Sequence, residues 1–321
     1  MKRYVSIAVK ILAGIAIPAS LAITYGDQLF NVPSAVVVFV PAIVAAVCLR
    51  LGTGQHWART FLVLGVPLGL LSTSTSMVQI VAVGMLNDIP AIDKITLTGL
   101  SMAVALTALL YGGLVSAIGF AAVDKQEVAP RQGGSALWWL TPPVIAFLLM
   151  AWEVTSYDGR LDVFLDVSVL LVTLASIATF MSFRRETSPI KRWTEAALFS
   201  SIICVGIGVL QWFNTTNYQS GEIDTGAITF GLLGVTYGCV LYIGGYFYSF
   251  RNGQSDSIDA PRMNWHFLEV NAFLYFLTVA PTSLPESLSK IETSKQVATQ
   301  QKELSERITA LEAEIKRLSR E

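Results

Sequence analysis

TFLVLGVPLGLLSTSTSMVQIVAVGM, residues 60–85, contains no Asp, Glu, Lys or Arg. About 20 consecutive apolar residues are enough for a helix to cross the hydrocarbon core of a bilayer. The run therefore predicts a membrane-spanning helix, and the same pattern recurs along the chain. Charge-free runs predict helices at about 5–24, 35–51, 60–85, 95–122, 137–153, 164–183, 195–213 and 226–250, with a weaker ninth at about 264–281. Composition points the same way. Of 321 residues, 53% are hydrophobic and 14% charged, against roughly 25% charged in an ordinary soluble domain. Mean hydropathy is +0.57. The expected fold is an all-α polytopic membrane helix bundle of about eight or nine transmembrane helices, which argues against a soluble enzyme. A net charge of −1 argues against nucleic acid as a partner.

Short polar loops separate the runs, and their charges alternate. Lys2, Arg3 and Lys10 open the chain. Arg50 and Arg59 share one loop, Lys125 and Arg131 another, Arg184, Arg185, Lys191 and Arg192 a third, and Arg251 and Arg262 the last. Acidic residues mark the loops between: Asp27, then Asp88 and Asp93, then Asp158 and Asp162, then Glu222 and Asp224. The positive-inside rule places the N-terminus of a multi-pass protein in the cytoplasm. Ser20-Leu21-Ala22 resembles a signal-peptidase site, but the membrane pattern continues beyond it, and retention of the first helix is the expectation. Cys48, Cys204 and Cys239 lie in apolar runs, and His56 and His266 are far apart. No spacing calls for a disulfide framework, a metal site or a cofactor.

The chain reads as a duplication. LFNVPSAVVVFVPAIVAAV (29–47) is followed by a basic loop, Trp57, and a later helix carrying LLYGGLV (109–115). FLDVSVLLVTLASIATF (164–180) is followed by a basic loop, Trp193, and a later helix carrying VTYGCVL (235–241). Four spans per half give two parallel four-helix repeats, unlike the inverted repeats of many transporters. The expected divisions are 1–130 and 131–255 for the repeats, 256–283 for a further helix and 284–321 for a coiled coil. The coiled coil rests on Val297, Gln301, Leu304, Ile308, Leu311, Ile315 and Leu318, whose spacing alternates four and three. It predicts a homo-oligomer or a protein partner through 284–321, beside the lipid bilayer itself.

Several side chains are candidates for function. Ser72 to Ser76 are five consecutive hydroxyl residues in the third helix, and Thr96, Thr98, Ser101, Thr107 and Ser116 follow in the fourth. Intramembrane hydroxyls either bond to helix carbonyls or line a hydrated path. Gly65 with Gly69, Gly112 with Ser116, and Gly234 with Gly238 are each four apart, a small-xxx-small pattern for close helix packing. Pro67 removes a backbone hydrogen bond inside the third helix. Glu269 lies in NWHFLEVNAFLYFLTVAP (264–281). An acidic residue within a span is by default a functional candidate, and it could take and release a proton. Should the segment stop at the headgroups, Glu269 sits solvated beside His266. Asp166 reads as a helix-end residue, and Glu153 to Asp162 reads as a loop.

Residues 84–125, and within them MAVALTALLYG (102–112), resemble the last two membrane helices of the MotA/TolQ/ExbB family, the channel-forming subunits of ion-driven stators. Residues 29–47 and VPLGLLSTSTSM (66–77) are similar to earlier helices of that family, with Pro67 and Thr73 at matching positions. The chain departs from the pattern at Ala108, Leu109 and Ala122, and only a short loop joins helices two and three where the family has a large cytoplasmic segment. Residues 269–281 resemble the single helix of ExbD- and TolR-like partner subunits, whose acidic residue carries the proton. WHFLEV (265–270) is also similar to a short run in subunit III of haem-copper oxidases, and nothing else in the chain resembles that subunit. The main resemblance implies a proton or sodium channel that turns ion-motive force into work on a partner. Glu269 would be the ion-carrying carboxylate, Thr73, Thr75, Thr107 and Pro67 would line or shape the channel, and the coiled coil would lie in the periplasm. The alternative is a non-conducting membrane scaffold that oligomerises through its coiled coil.

Overall fold

The computed structural model describes residues 32–84, 91–123, 135–156, 161–183, 188–215 and 225–251, together with residues 266, 267, 269 and 270. The expected helix at 5–24 and the coiled coil at 284–321 lie outside the described residues, as does most of 264–281. Among the described residues the chain is helical, with no strand. Its elements are α1 (Val32–Thr53), α2 (Trp57–Gly84), α3 (Ala91–Ala122), α4 (Ala136–Ser156), a 3-10 turn (Leu161–Phe164), α5 (Val167–Phe183), α6 (Pro189–Thr215) and α7 (Thr225–Arg251). Six stretches are long and apolar enough to cross a membrane: Val32–Thr53, Trp57–Gln79, Leu137–Thr155, Leu161–Phe183, Pro189–Asn214 and Gly226–Phe250. The chain is thus a multi-pass membrane protein whose apolar helices contact lipid.

Helix ends follow local chemistry more closely than charge. Gly54 adopts φ +76° and its N–H bonds to Arg50 O at 3.1 Å, which closes α1 with the left-handed residue that glycine tolerates. Asp166 caps α5: Oδ1 accepts from Ser168 N at 2.8 Å and Val169 N at 3.1 Å. The apolar run from 164 is therefore split, with a 3-10 turn before the cap and the α-helix after it. Helix α6 starts at Pro189, ahead of the expected 195, and takes in Lys191, Arg192 and Glu195. Charge ends an apolar run without ending a helix. Helix α4 likewise continues to Ser156, so Glu153 is helical and not the start of a loop.

Helix α2 is the centre of the bundle. Every residue from Leu62 to Ser76 is buried, and so are Met77 and Val78. A helix buried on all sides needs no polar face, which is why its sequence shows no amphipathic stripe. Helices α3, α7, α1 and α4 pack around it, and α6 pairs with α7. Outward positions remain apolar, among them Ile43, Val47, Phe147, Leu148, Leu171 and Leu174. Such a surface suits lipid contact.

Helices α2 and α3 cross with their backbones in close approach. A methyl built on Gly65 would come within 2.5 Å of Gly112 O, and one on Gly69 within 2.8 Å of Ala108 O. Close approach lets Ser116 bond to the backbone just before Pro67. Its Oγ accepts from Val66 N at 3.0 Å and lies 3.3 Å from Leu62 O. Val66 N–H and Leu62 C=O are the partners of one ordinary helical turn, so the hydroxyl of a neighbouring helix stands in the hydrogen-bond ladder just before the proline. Between α6 and α7, Gly234 packs on Cys204, and Gly238 on Ser201 and Ala197 O. Trp193 Nε1 donates to Leu241 O at 3.0 Å across the same crossing.

Candidate functional site

Successive helical residues point about 100° apart, so the five hydroxyls of α2 fan out toward different neighbours. Ser72, Thr73, Ser74 and Thr75 are fully buried and Ser76 nearly so. Thr73 Oγ1 lies 2.8 Å from Gly69 O in its own helix and 2.8 Å from Ala105 O in α3. Ser74 Oγ donates to Leu71 O at 3.0 Å and receives Thr236 Oγ1 of α7 at 2.9 Å. Thr75 Oγ1 donates to Leu71 O at 2.8 Å. Ser72 turns to α4, where its Oγ lies 2.9 Å and 3.1 Å from the two carboxyl oxygens of Glu153.

Glu153 is 1% exposed. Its place follows from the periodicity of α4. Pro142, Ala146, Met150, Glu153 and Val154 are buried, while Phe147, Leu148 and Trp152 face outward. Position 153 falls on the inward stripe. Among the described residues no Lys, Arg or His pairs with the carboxyl, and the Ser72 hydroxyl is the hydrogen-bond partner it has. Burying a charge without a partner is costly, so a carboxyl held by one hydroxyl stands out. In the sequence its charge marks the start of a loop, which hides its place on the inward stripe.

Thr73 and Thr75 belong to the central hydroxyl run, and Thr107 is buried on α3. Pro67 lies within α2, one residue beyond the Val66 N–H that Ser116 receives. Gly65, Gly69, Gly112 and Ser116 form the α2–α3 crossing, and Gly234 and Gly238 the α6–α7 crossing. Glu269 stands elsewhere. Its side chain is 50% exposed and meets His266 Nδ1 at 2.9 Å, three residues back in the chain. Beside it Phe267 is fully buried and packs edge-on against Tyr242 of α7, ring centroids 4.8 Å apart. Glu269 makes no hydrogen bond to the hydroxyl run of α2.

Tyr237, whose Tyr-Gly pair matches Tyr111-Gly112 in sequence, locks the start of α5. Its OH donates to Phe164 O at 2.6 Å and accepts from Asp166 N at 3.1 Å. The three cysteines are buried free thiols, and Cys204 Sγ lies 3.6 Å from Thr173 Oγ1. Comparison with family models, with curated proteins and with solved structures found no match to this chain.

Proposed function

We propose that the chain is an ion-translocating membrane protein of the MotA/TolQ/ExbB type, which moves protons or sodium ions across a bacterial inner membrane and does work on a partner. The observation that carries this reading is the hydroxyl run of α2: it sits at the centre of the bundle, is buried on every side, and reaches α3, α4 and α7 at once. Thr73 meets α3 within the segment that resembles the family's pore helices. In this reading the described helices belong to two parallel four-helix repeats, a ninth helix carries Glu269, and the C-terminal coiled coil is periplasmic and binds the partner or a second copy.

The helix crossings support the duplication. Gly65 lies eight residues after Trp57, and Ser201 eight after Trp193. Gly112 and Gly238 each follow the tyrosine of a Tyr-Gly pair. Gly65 packs on Gly112, and Ser201 on Gly238. Equivalent positions of the two halves therefore meet in equivalent pairs.

The second reading, a non-conducting scaffold, draws on a different feature of the same run. Thr73, Ser74 and Thr75 each have a carbonyl of their own helix as an acceptor, and hydroxyls so engaged are structural. Flux into proteoliposomes containing the purified full chain separates the two. Conduction predicts that an imposed pH or sodium gradient collapses, and that Thr73→Val slows the collapse. Vesicles that hold their gradient, with a folded protein in them, refute conduction and favour the scaffold.

A further inference from the structure

We infer that Glu153 and Ser72 form a proton-binding site in the buried contact between α2 and α4, and that the ion this protein handles there is a proton rather than sodium. The inference deepens the ion-translocation reading, and its binding half can be tested apart from transport.

The first argument is the geometry of one hydroxyl between two oxygens. Ser72 Oγ is 2.9 Å and 3.1 Å from Glu153 Oε1 and Oε2. A serine has a single proton to donate. With the carboxylate ionised, Ser72 donates to one of its oxygens. With the carboxyl protonated, its own O–H donates to Ser72 Oγ, and the serine proton turns to a helix carbonyl, the kind of acceptor used by Thr73 and Thr75. Both states are hydrogen-bonded without any heavy atom moving far. The site can be loaded and emptied in place: one O–H bond forms on the carboxyl when the proton arrives and breaks when it leaves.

The second argument is the ligand set. Hard metal cations are held by about six or more oxygen ligands. Here two carboxyl oxygens and Ser72 Oγ converge. The neighbouring hydroxyls are engaged elsewhere, Thr73 with Gly69 O and Ala105 O, Thr75 with Leu71 O, and Ser74 with Leu71 O and Thr236. A proton needs one acceptor and one neighbour, and the site has both.

The third is position. Ser72 lies fifteen residues from Trp57 and twelve from Gly84, or about 22 Å and 18 Å along the helix at roughly 1.5 Å per residue. On α4 Glu153 lies three residues before the helix end at Ser156, so the carboxyl is buried within the last turn of its own helix. Ser72, Ser76 and Gln79 share one face of α2, and Gln79 Nε2 is buried without a hydrogen-bond partner. Polar side chains thus continue from the site along that face as far as Gln79. Toward the Trp57 end the same face carries Leu68, Gly65 and Leu64, and Leu68 and Leu64 are buried and apolar. Helices α1, α2 and α7 and the 3-10 turn pack on α4, and from them the group that meets the carboxyl is the Ser72 hydroxyl.

Infrared difference spectroscopy of the purified chain, stepped between acid and alkaline buffer, reads binding directly. Over the signal of the other carboxyls, one protonated-carboxyl component should be present in wild type, absent in Glu153→Gln, and shifted in Ser72→Ala, which keeps the acid but removes its hydrogen bond. Glu269→Gln should leave that band in place. An unchanged band in Glu153→Gln overturns the inference, as does a band in Glu153→Asp and wild type that Ser72→Ala does not move. Proton flux into proteoliposomes should fall by about 100-fold in Glu153→Gln, the scale of removing a proton-transferring group, with partial recovery in Glu153→Asp. Undiminished proton flux in Glu153→Gln overturns the site while leaving the ion-translocation reading intact. A band that behaves as expected in a protein that passes no ions supports the binding site and refutes transport. Flux that follows sodium and not pH overturns the choice of ion.

Discussion

Gly112→Ala is a one-methyl test of the α2–α3 crossing. The added carbon would lie 2.5 Å from Gly65 O, 2.8 Å from Gly69 Cα and 3.0 Å from Gly69 N. All three are backbone atoms and cannot turn aside as a side chain would. Non-bonded carbon contacts settle at about 3.5–4.0 Å, so the two helices must part by about 1 Å. Overpacking of this kind costs about 1–3 kcal/mol. The same displacement stretches Ser116 Oγ–Val66 N from 3.0 Å and Thr73 Oγ1–Ala105 O from 2.8 Å beyond hydrogen-bonding range. Interhelical hydrogen bonds in membranes average about 0.6 kcal/mol each. Together the losses come to about 2–4 kcal/mol. Gly113 is the internal control, since a methyl there meets nothing within 4 Å. Gly113→Ala should be neutral or stabilise by up to about 1 kcal/mol through helix propensity. Unfolding of both variants by titration with a denaturing detergent, followed by tryptophan fluorescence, gives the difference. If Gly112→Ala stays within about 0.5 kcal/mol of wild type, the ordinary scatter of a neutral surface change, or if Gly113→Ala is as damaging, the crossing is not the close contact described.

Ser72→Ala leaves a buried carboxyl without its hydrogen bond and should cost about 1–3 kcal/mol; adding Glu153→Leu should recover part of that loss, and strict additivity in the same detergent titration would contradict the pairing. Tyr237→Phe strips partners from Phe164 O and Asp166 N. It should cost about 1–2 kcal/mol and speed amide exchange across 161–170, whereas unchanged protection there would show that the phenol is dispensable. Ser319→Cys, with Cys48, Cys204 and Cys239 replaced, should react with an impermeant thiol reagent in intact cells if 264–281 crosses the membrane. Reaction only after lysis would place the tail in the cytoplasm and Glu269 at the interface.

The helices from α1 to α7 were legible because apolar length is a constraint the bilayer imposes on the sequence itself. Their ends were less so. Lys191, Arg192 and Glu195 interrupt an apolar run but not the backbone ladder of α6, and Asp166 opens α5 inside a run that hydropathy alone would read as one helix. The glycine and serine spacings named residues that meet at the crossings, because four-residue spacing fixes a helix face before any partner is known. Glu153 was hidden by the rule that placed the loops. Its charge marked an end, although Pro142, Ala146 and Met150 set a buried stripe that position 153 continues. What no single helix can disclose is which side chain of another helix waits opposite, and Ser72 lies 81 residues from Glu153 in sequence.

The central position of α2 sets a schedule for the protein's own synthesis. Helix α2 is made before the helices that cover its far sides. Glu153 follows Ser72 by 81 residues and Thr236 follows Ser74 by 162. At about 5–20 residues per second, the ribosome delivers α4 roughly 4–16 s later and α7 roughly 8–30 s later. During that interval the hydroxyl run has neither of those partners. The bonds of Thr73, Ser74 and Thr75 to carbonyls of their own helix need nothing that is not already built, and they keep the nascent segment tolerable to lipid while it waits. Thr73 and Val66 gain their α3 partners, Ala105 O and Ser116 Oγ, first, and Ser72 waits longer, until α4 brings Glu153.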